Sequence, residues 1–403
     1  MKLVIVISVL SNIYINAQTA ISLDDAINSA LEKNIELQKQ KLFLNKSELE
    51  LDESARLPNP LLNYSREDLT NNSLTFGEWI LSGSMPLNFL WERWSNISSN
   101  EKNLQAQKLL FNFQQKNVKS EVQKSFTYLH FTNLMVSDLS DALTNIKNIY
   151  STAKIRFDEG DISEYELQRI LVEINKISSL IKKTELSKNE FQKELCFLLN
   201  TDNFEIITKD SFFNQIISLN QKELVDTALI KRDDFIAIDL LIESVNSQLN
   251  FNSMKIIPDI NLTAGYKKQT DDLSGLVLEL NAQIPIFNRN QLKINENEVE
   301  LEFLKKQKTF LQNKIEIEVI TSFKKFEEYN LLNQKNDKTI LENIIYTSAF
   351  SYEQGEIELV EFMDAVNTYV DGIQLFYSTK IEFYVSYFEL EKTVSSELKN
   401  FEN

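Results

Sequence analysis

The sequence predicts a mainly α-helical, exported chain with a small β part, built as two repeats. Three observations predict it: long stretches without glycine or proline, four windows of period-two alternation, and motifs that recur at an offset of about 200 residues.

The helices come first. At 403 residues, length alone suggests two or three domains. Seven glycines and five prolines are few for that length and disfavour a loop-rich fold. The prolines fall in two windows, Pro58, Pro60 and Pro86 in one, Pro258 and Pro285 in the other. Residues 87–159 and 286–354 contain neither glycine nor proline. Both carry apolar residues three and four apart, as in Ile294, Val299, Leu301, Leu304, Phe310, Leu311, Ile315, Val319 and Phe323. A helix of about 70 residues would be roughly 100 Å long, which implies a coiled-coil-like or barrel-like bundle.

The strands lie in the proline windows, over 58–67, 75–87, 258–268 and 275–286. In the third, Ile260, Leu262, Ala264 and Tyr266 oppose Asn261, Thr263, Gly265 and Lys267. In the fourth, Leu276, Leu278, Leu280, Ala282 and Ile284 oppose Val277, Glu279, Asn281 and Gln283. Such alternation marks strands with one apolar and one polar face. Each run has about 10 residues, the length of a tilted transmembrane strand. Polar links at Glu67–Ser73 and Gln269–Ser274 are expected to be hairpin loops.

The repeat rests on three ordered matches. Arg56-Leu57-Pro58-Asn59-Pro60 corresponds to Lys255-Ile256-Ile257-Pro258-Asp259, and Met85-Pro86-Leu87 to Ile284-Pro285-Ile286. Arg156-Phe157-Asp158-Glu159-Gly160-Asp161-Ile162 corresponds to Ser351-Tyr352-Glu353-Gln354-Gly355-Glu356-Ile357. A nearly constant offset indicates duplication. Residues 18–220 and 221–403 form the two repeats, each a helix, two strands and a long helical hairpin turning at a glycine. The stretch 200–222 breaks the helical pattern.

Composition excludes several functions. A net charge of −17 disfavours a nucleic-acid-binding face. One cysteine, Cys196, and one histidine, His130, rule out an internal disulfide or a Cys/His zinc site. The carboxylates lie on charged helical stretches, and there is no nucleophile elbow or phosphate loop. No catalytic, cofactor-binding or metal-binding residue is assigned, and no enzyme activity is expected. At the N-terminus, Lys2 and the apolar Leu3–Leu10 resemble a signal peptide over 1–17, with cleavage expected after Ile15-Asn16-Ala17. No later run is apolar enough for a membrane helix.

Four strands cannot close in a membrane. An open edge in hydrocarbon leaves backbone groups unpaired at several kcal/mol each. Further copies of the chain are therefore needed, and polar inward faces suit a wet lumen.

The residues also carry a family resemblance. Ile21-Ser22-Leu23-Asp24-Asp25-Ala26-Ile27-Asn28-Ser29-Ala30-Leu31-Glu32-Lys33-Asn34 resembles the first helix of TolC-like outer-membrane efflux proteins. Gln283-Ile284-Pro285-Ile286-Phe287-Asn288-Arg289 is similar to their strand-to-helix exit, and the Gly160 and Gly355 turns to their hairpin tips. The resemblance implies a homotrimer, with a 12-stranded transmembrane β-barrel (four strands per protomer) on a long α-helical barrel. It implies location in the outer membrane of a Gram-negative bacterium, with the helical part in the periplasm. It further implies a passive exit duct in a tripartite efflux system, with a periplasmic adaptor, an inner-membrane pump and outer-membrane lipid as partners. The open alternatives are a type I protein-secretion duct of the same fold and a non-pore exported coiled-coil scaffold.

The candidate site lies at the glycine turns. Residues 153–166 carry a net −3 and residues 349–364 a net −5, or −24 around a trimer. By resemblance, Glu361, Asp364 and Glu166 occupy the periplasmic aperture. Gly160, Asp161, Ile162, Gly355, Glu356 and Ile357 are the expected adaptor-docking tips. The spacing of three puts Glu361 and Asp364 on one helix face, and rings of carboxylates favour cations. Leu359 and Val360 could add apolar contacts, and Trp91 and Trp94 are candidates for an interfacial aromatic anchor or for core packing.

Overall fold

The computed structural model describes residues 19–71, 74–201, 206–208 and 219–401. The expected signal peptide with its cut site, and most of the 200–222 stretch, lie outside the described residues. Strand β1 (Thr19–Ile21) is followed by helices α1 (Leu23–Lys33) and α2 (Ile35–Ser54), then by strands β2 (Leu61–Asn71) and β3 (Leu74–Pro86). Next come helices α3 (Phe89–Asp158) and α4 (Glu164–Leu198) and the short strand β4 (Ile206–Thr208). The succession then returns: helices α5 (Gln221–Lys231) and α6 (Asp233–Met254), and strands β5 (Asp259–Gln269) and β6 (Ser274–Gln283). Helices α7 (Gln291–Gln334), α8 (Lys338–Glu353) and α9 (Leu359–Val394) complete it.

By contact the chain falls into two compact units. One comprises residues 1–37, 115–224 and 318–403, the other residues 38–114 and 225–317.

The second unit holds the four-stranded antiparallel sheet, in the order β2-β3-β5-β6. The two hairpins join through β3 and β5, in a register that sets Leu81 opposite Tyr266 and Ser84 opposite Thr263. Period and register then sort the faces. Leu62, Tyr64, Leu81, Leu262, Tyr266, Leu276, Leu278 and Leu280 share one face, and all eight are exposed. The other face carries Asn63, Ser65, Ser82, Ser84, Thr263, Lys267, Glu279 and Asn281. Here the Lys267 ammonium pairs with Glu78, whose carboxylate also accepts from Gln269 Nε2 at 3.1 Å. Gly265 permits the close approach of β3, since a Cβ there would lie 2.6 Å from that of Ser82. The alternation fades toward the loop end, where Arg66 pairs with Asp68 and Leu69 sits opposite Phe76.

Helices of this unit pack through small residues. Buried Ser99 on α3 and Ser244 on α6 donate to each other's carbonyl, at 3.0 and 2.8 Å. Ile238 and Val245 of α6 meet Leu304 of α7.

The first unit is built around α9. From Phe383 to Phe388 all six consecutive residues are buried, as expected of a helix enclosed by neighbours. Tyr384 stacks on Phe131 of α3 at 5.5 Å, and Phe383 and Tyr387 pack on Phe326 of α7 at 5.9 and 6.0 Å. Cys196 is buried, and His130 lies between Phe126 and Phe131. Strands β1 and β4 pair in parallel, with Ala20 opposite Ile207. The Asn34 side chain donates to Leu198 O at 3.1 Å and accepts from Glu36 N at 3.0 Å, so one residue ends α1, starts α2 and holds the end of α4.

Three expectations are corrected. The link Glu67–Ser73 is strand as far as Asn71, because Glu67, Asp68 and Leu69 pair with Glu78, Gly77 and Phe76 despite their polarity. The fourth strand ends at Gln283, before Pro285, which cannot donate to a ladder. The stretch 286–354 is two helices. Neither proline nor glycine interrupts it; Asn336 and Asp337 do, by turning their side chains on the backbone. The other long stretch, in α3, runs unbroken for 70 residues, about 105 Å.

Phe326→Ala should lower stability by about 3–5 kcal/mol, seen as a fall in the thermal midpoint. Burial and nearby Glu397 push the Glu391 carboxyl up, against hydrogen bonds from Leu398 N and Tyr387 and the charge of Lys119. A raised carboxyl stabilises the fold fully below its unfolded pKa, and that contribution is lost as pH rises through the folded value. Glu391→Gln should therefore raise the midpoint at pH 7–8 and leave it nearly unchanged at pH 4, as read by thermal melts.

Candidate functional site

Both glycine turns are built by one recipe. Helix α3 ends with Gly160 at φ +83°, where its N–H donates to Phe157 O at 3.0 Å and Asp161 N donates to Arg156 O at 2.8 Å. Helix α8 ends with Gly355 at φ +75°, where its N–H donates to Tyr352 O at 3.1 Å and Glu356 N donates to Ser351 O at 2.8 Å. This is the Schellman pattern, which satisfies the last carbonyls and needs a left-handed residue that glycine supplies without strain.

The helix that leaves each turn is capped by an acid. Ser163 N donates to Glu166 Oε2 at 2.7 Å, and Glu166 N donates back to Ser163 Oγ at 3.3 Å. Glu358 N donates to Glu361 Oε2 at 3.0 Å in the same box around the start of α9. Two of the three expected aperture acids thus also satisfy orphan N–H groups and face the positive end of a helix. Reading the carboxylates as ring charges missed this local role. The spacing Ser163-x-x-Glu166 was its visible signal.

Glu361 and Asp364 are exposed one turn apart on α9, and Glu166 is half-buried. Asp161, Glu356 and both glycines are exposed, whereas Ile162 and Ile357 are partly covered. Leu359 is buried and packs inside the hairpin, leaving Val360 open at 54% exposure. The two turns meet through Arg156, whose guanidinium lies 5.9 Å from the Tyr352 ring centre. Tyr352 stacks on Phe362, and burial pushes its hydroxyl pKa up. Beside it, a groove of about 610 Å³ runs between α3 and α8, lined by Asn145, Asn148, Tyr346, Phe350 and Glu353.

Away from the turns, Trp94 is 69% exposed beside Arg93, while Trp91 is partly covered. Among the described residues no His, Cys, Asp and Glu group could hold a metal ion, and no helix is long and apolar enough to cross a membrane.

No protein-family model matches the sequence, and no curated protein matches it. Solved structures are. The CmeC outer membrane channel of Campylobacter jejuni is similar at a TM-score of 0.76 and 15% identity, over 94% of this chain and 86% of that one. CusC, described in terms of transmembrane channel formation, reaches 0.74 at 17% identity, over 93% and 92%. The open-state MtrE outer membrane channel of Neisseria gonorrhoeae reaches 0.73 at 12%, over 93% and 89%. The chain has the fold of these outer-membrane channels. The first-helix, strand-exit and turn motifs therefore pointed to the right fold at an identity where few side chains are shared.

Gly160→Ala or Gly355→Ala should cost about 1–2 kcal/mol each, because a Cβ is strained at these φ values. Amide hydrogen exchange should speed up at the substituted turn and not at the other.

Proposed function

We propose that this chain is one protomer of a TolC-like outer-membrane exit duct. The observation that carries the reading is the sheet of four strands, with an exposed apolar face, a polar face and two open edges, in a chain that folds as outer-membrane channels fold. Among the described residues, strand β2 at one edge and β6 at the other have no strand partner along their outer sides. In hydrocarbon these need partners, and β6 of one copy beside β2 of the next supplies them. Three copies make a 12-stranded barrel, with Leu276, Leu278 and Leu280 toward lipid and Glu279 and Asn281 toward a wet lumen. Exposed apolar residues at heptad spacing on α7 (Leu292, Val299, Phe303, Phe310) support helix packing between copies.

The repeated element order and the offset of about 200 residues support descent by duplication, with repeats at 18–220 and 221–403. Residues 1–17 direct export. The helical part occupies the periplasm of a Gram-negative cell. The duct does no covalent chemistry; an inner-membrane pump drives substrates into it through a periplasmic adaptor. The adaptor docks on the tips, at Gly160, Asp161 and Ile162 and at Gly355, Glu356 and Ile357, beside the groove between α3 and α8. Three copies of Glu361 and Asp364, with Glu166 near them, ring the periplasmic aperture. Glu361 uses one oxygen to cap its own helix and has the other for cations.

Light scattering of the detergent-extracted protein should give about three chain masses. In planar bilayers the E361A/D364A double variant should conduct more than the wild type, or be blocked less by divalent cations. A soluble monomer needing no detergent would remove the pore and leave an exported coiled-coil scaffold.

A further inference from the structure

The break between α7 and α8 is fastened where it occurs. Residues 335–337 leave the helical path, and Asp337 restarts it by accepting from Thr339 N at 2.9 Å. Asn336 Nδ2 donates to Phe376 O on α9 at 3.1 Å. One residue on, the Lys338 ammonium pairs with Asp138 Oδ2 of α3 at 2.7 Å and with Glu342 at 3.2 Å. The Tyr377 hydroxyl of α9 donates to the same Asp138 oxygen at 2.6 Å. Next, Leu341 fills the notch at Gly372, where a Cβ would collide with Leu341 Cδ2. Helices α3, α8 and α9 thus converge on one carboxylate.

The knot is largely sheltered from solvent. Tyr377 is 3% exposed, and the Asp138 and Lys338 side chains are 17% and 28% exposed. Burial disfavours the Lys338 ammonium, but hydrogen bonding and attraction from Asp138 and Glu342 outweigh it and hold its pKa above the usual lysine value. Hydrogen bonds to an ionised acceptor in such a place are strong and weakly screened by salt. The three-residue break, by contrast, has no i→i−4 ladder to keep α7 and α8 coaxial. Helix α8 has 16 residues, short enough to depend on packing for its position.

We propose that residues 335–337 are a hinge and that the Asp138–Lys338–Tyr377 knot is the latch that holds α8 in place across it. Asp138, Lys338 and Tyr377 are positioning residues. Releasing the latch lets α8 and the Gly355 turn shift as one piece and carries along the start of α9, with Glu361 and Asp364. Helix α3 has no such joint, being continuous from Phe89 to Asp158. The functional sense of the movement rests on the duct reading; the latch itself does not.

The test uses the full-length protein in detergent, with hydrogen exchange followed along the chain. Lys338→Met keeps the stem and removes the charge, and Tyr377→Phe removes one hydrogen bond. Either should speed exchange over 338–353 by roughly tenfold while 89–130 stays unchanged. The exchanged pair Asp138→Lys with Lys338→Asp should restore at least part of the protection, which a merely misfolded variant would not. Unchanged exchange over 338–353, or a rise spread evenly over the whole chain, would overturn the latch. Single-channel recording of the Lys338→Met variant then reads the duct separately: a raised open fraction is expected. Conductance unchanged despite faster exchange would overturn the coupling to the aperture. A wild type that never conducts would overturn the duct reading and leave the exchange result standing.

Discussion

Every backbone N–H and C=O that leaves water must find a partner, and this requirement organises the chain. The long helices meet it internally. The strands meet it only in part: β3 and β5 join the two hairpins into one sheet, while among the described residues β2 and β6 each keep an open side. An open side next to a face of exposed leucines is unsuited to both water and lipid. The proposed trimer answers both problems at once. The polar face, with its Glu78–Lys267 pair, is then the side that can stay wet.

At the opposite extreme of locality, the two turns need nothing but their own residues. Gly160 and Gly355 end one helix by the same hydrogen bonds, and Glu166 and Glu361 begin the next by reaching back three residues. The dual use of these acids matters for reading any variant there. Removing Glu361 takes away a charge and a helix cap together, so a neutral acceptor at that position is the informative control for charge.

The joint after α7 lies between these cases. Asn336 and Asp337 are poor helix residues, but a helix can carry such residues when nothing competes. Here their side chains have better partners, the Phe376 carbonyl and Thr339 N, and Lys338 finds Asp138 on a helix 200 residues earlier in sequence. Helix α3, by contrast, is unbroken from Phe89 to Asp158.

Much of this was legible in the sequence. Periodicities of 3.6 and 2 located the helices and strands, since they state which side of each element is buried. Proline and glycine marked the sheet ends and both turns. The faces of β5 and β6 followed residue by residue from alternation. Legibility ended where a contact joins distant residues. The extension of β2 through Glu67–Leu69 depends on pairing with β3, so polar side chains were a poor guide to it. Strand β1 forms on its pairing with β4, nearly 190 residues away. At the candidate site the acidic character and the glycines were visible. That Leu359 turns inward while Val360 stays open, and that Arg156 sits on Tyr352, were decided by packing between hairpins. The sequence by itself determined the kinds of elements, their order and their apolar faces, because these depend on neighbours within one helical turn or one strand. The tertiary structure alone decided where α7 breaks and what holds it, because that balance is set by side chains brought together from three separate helices.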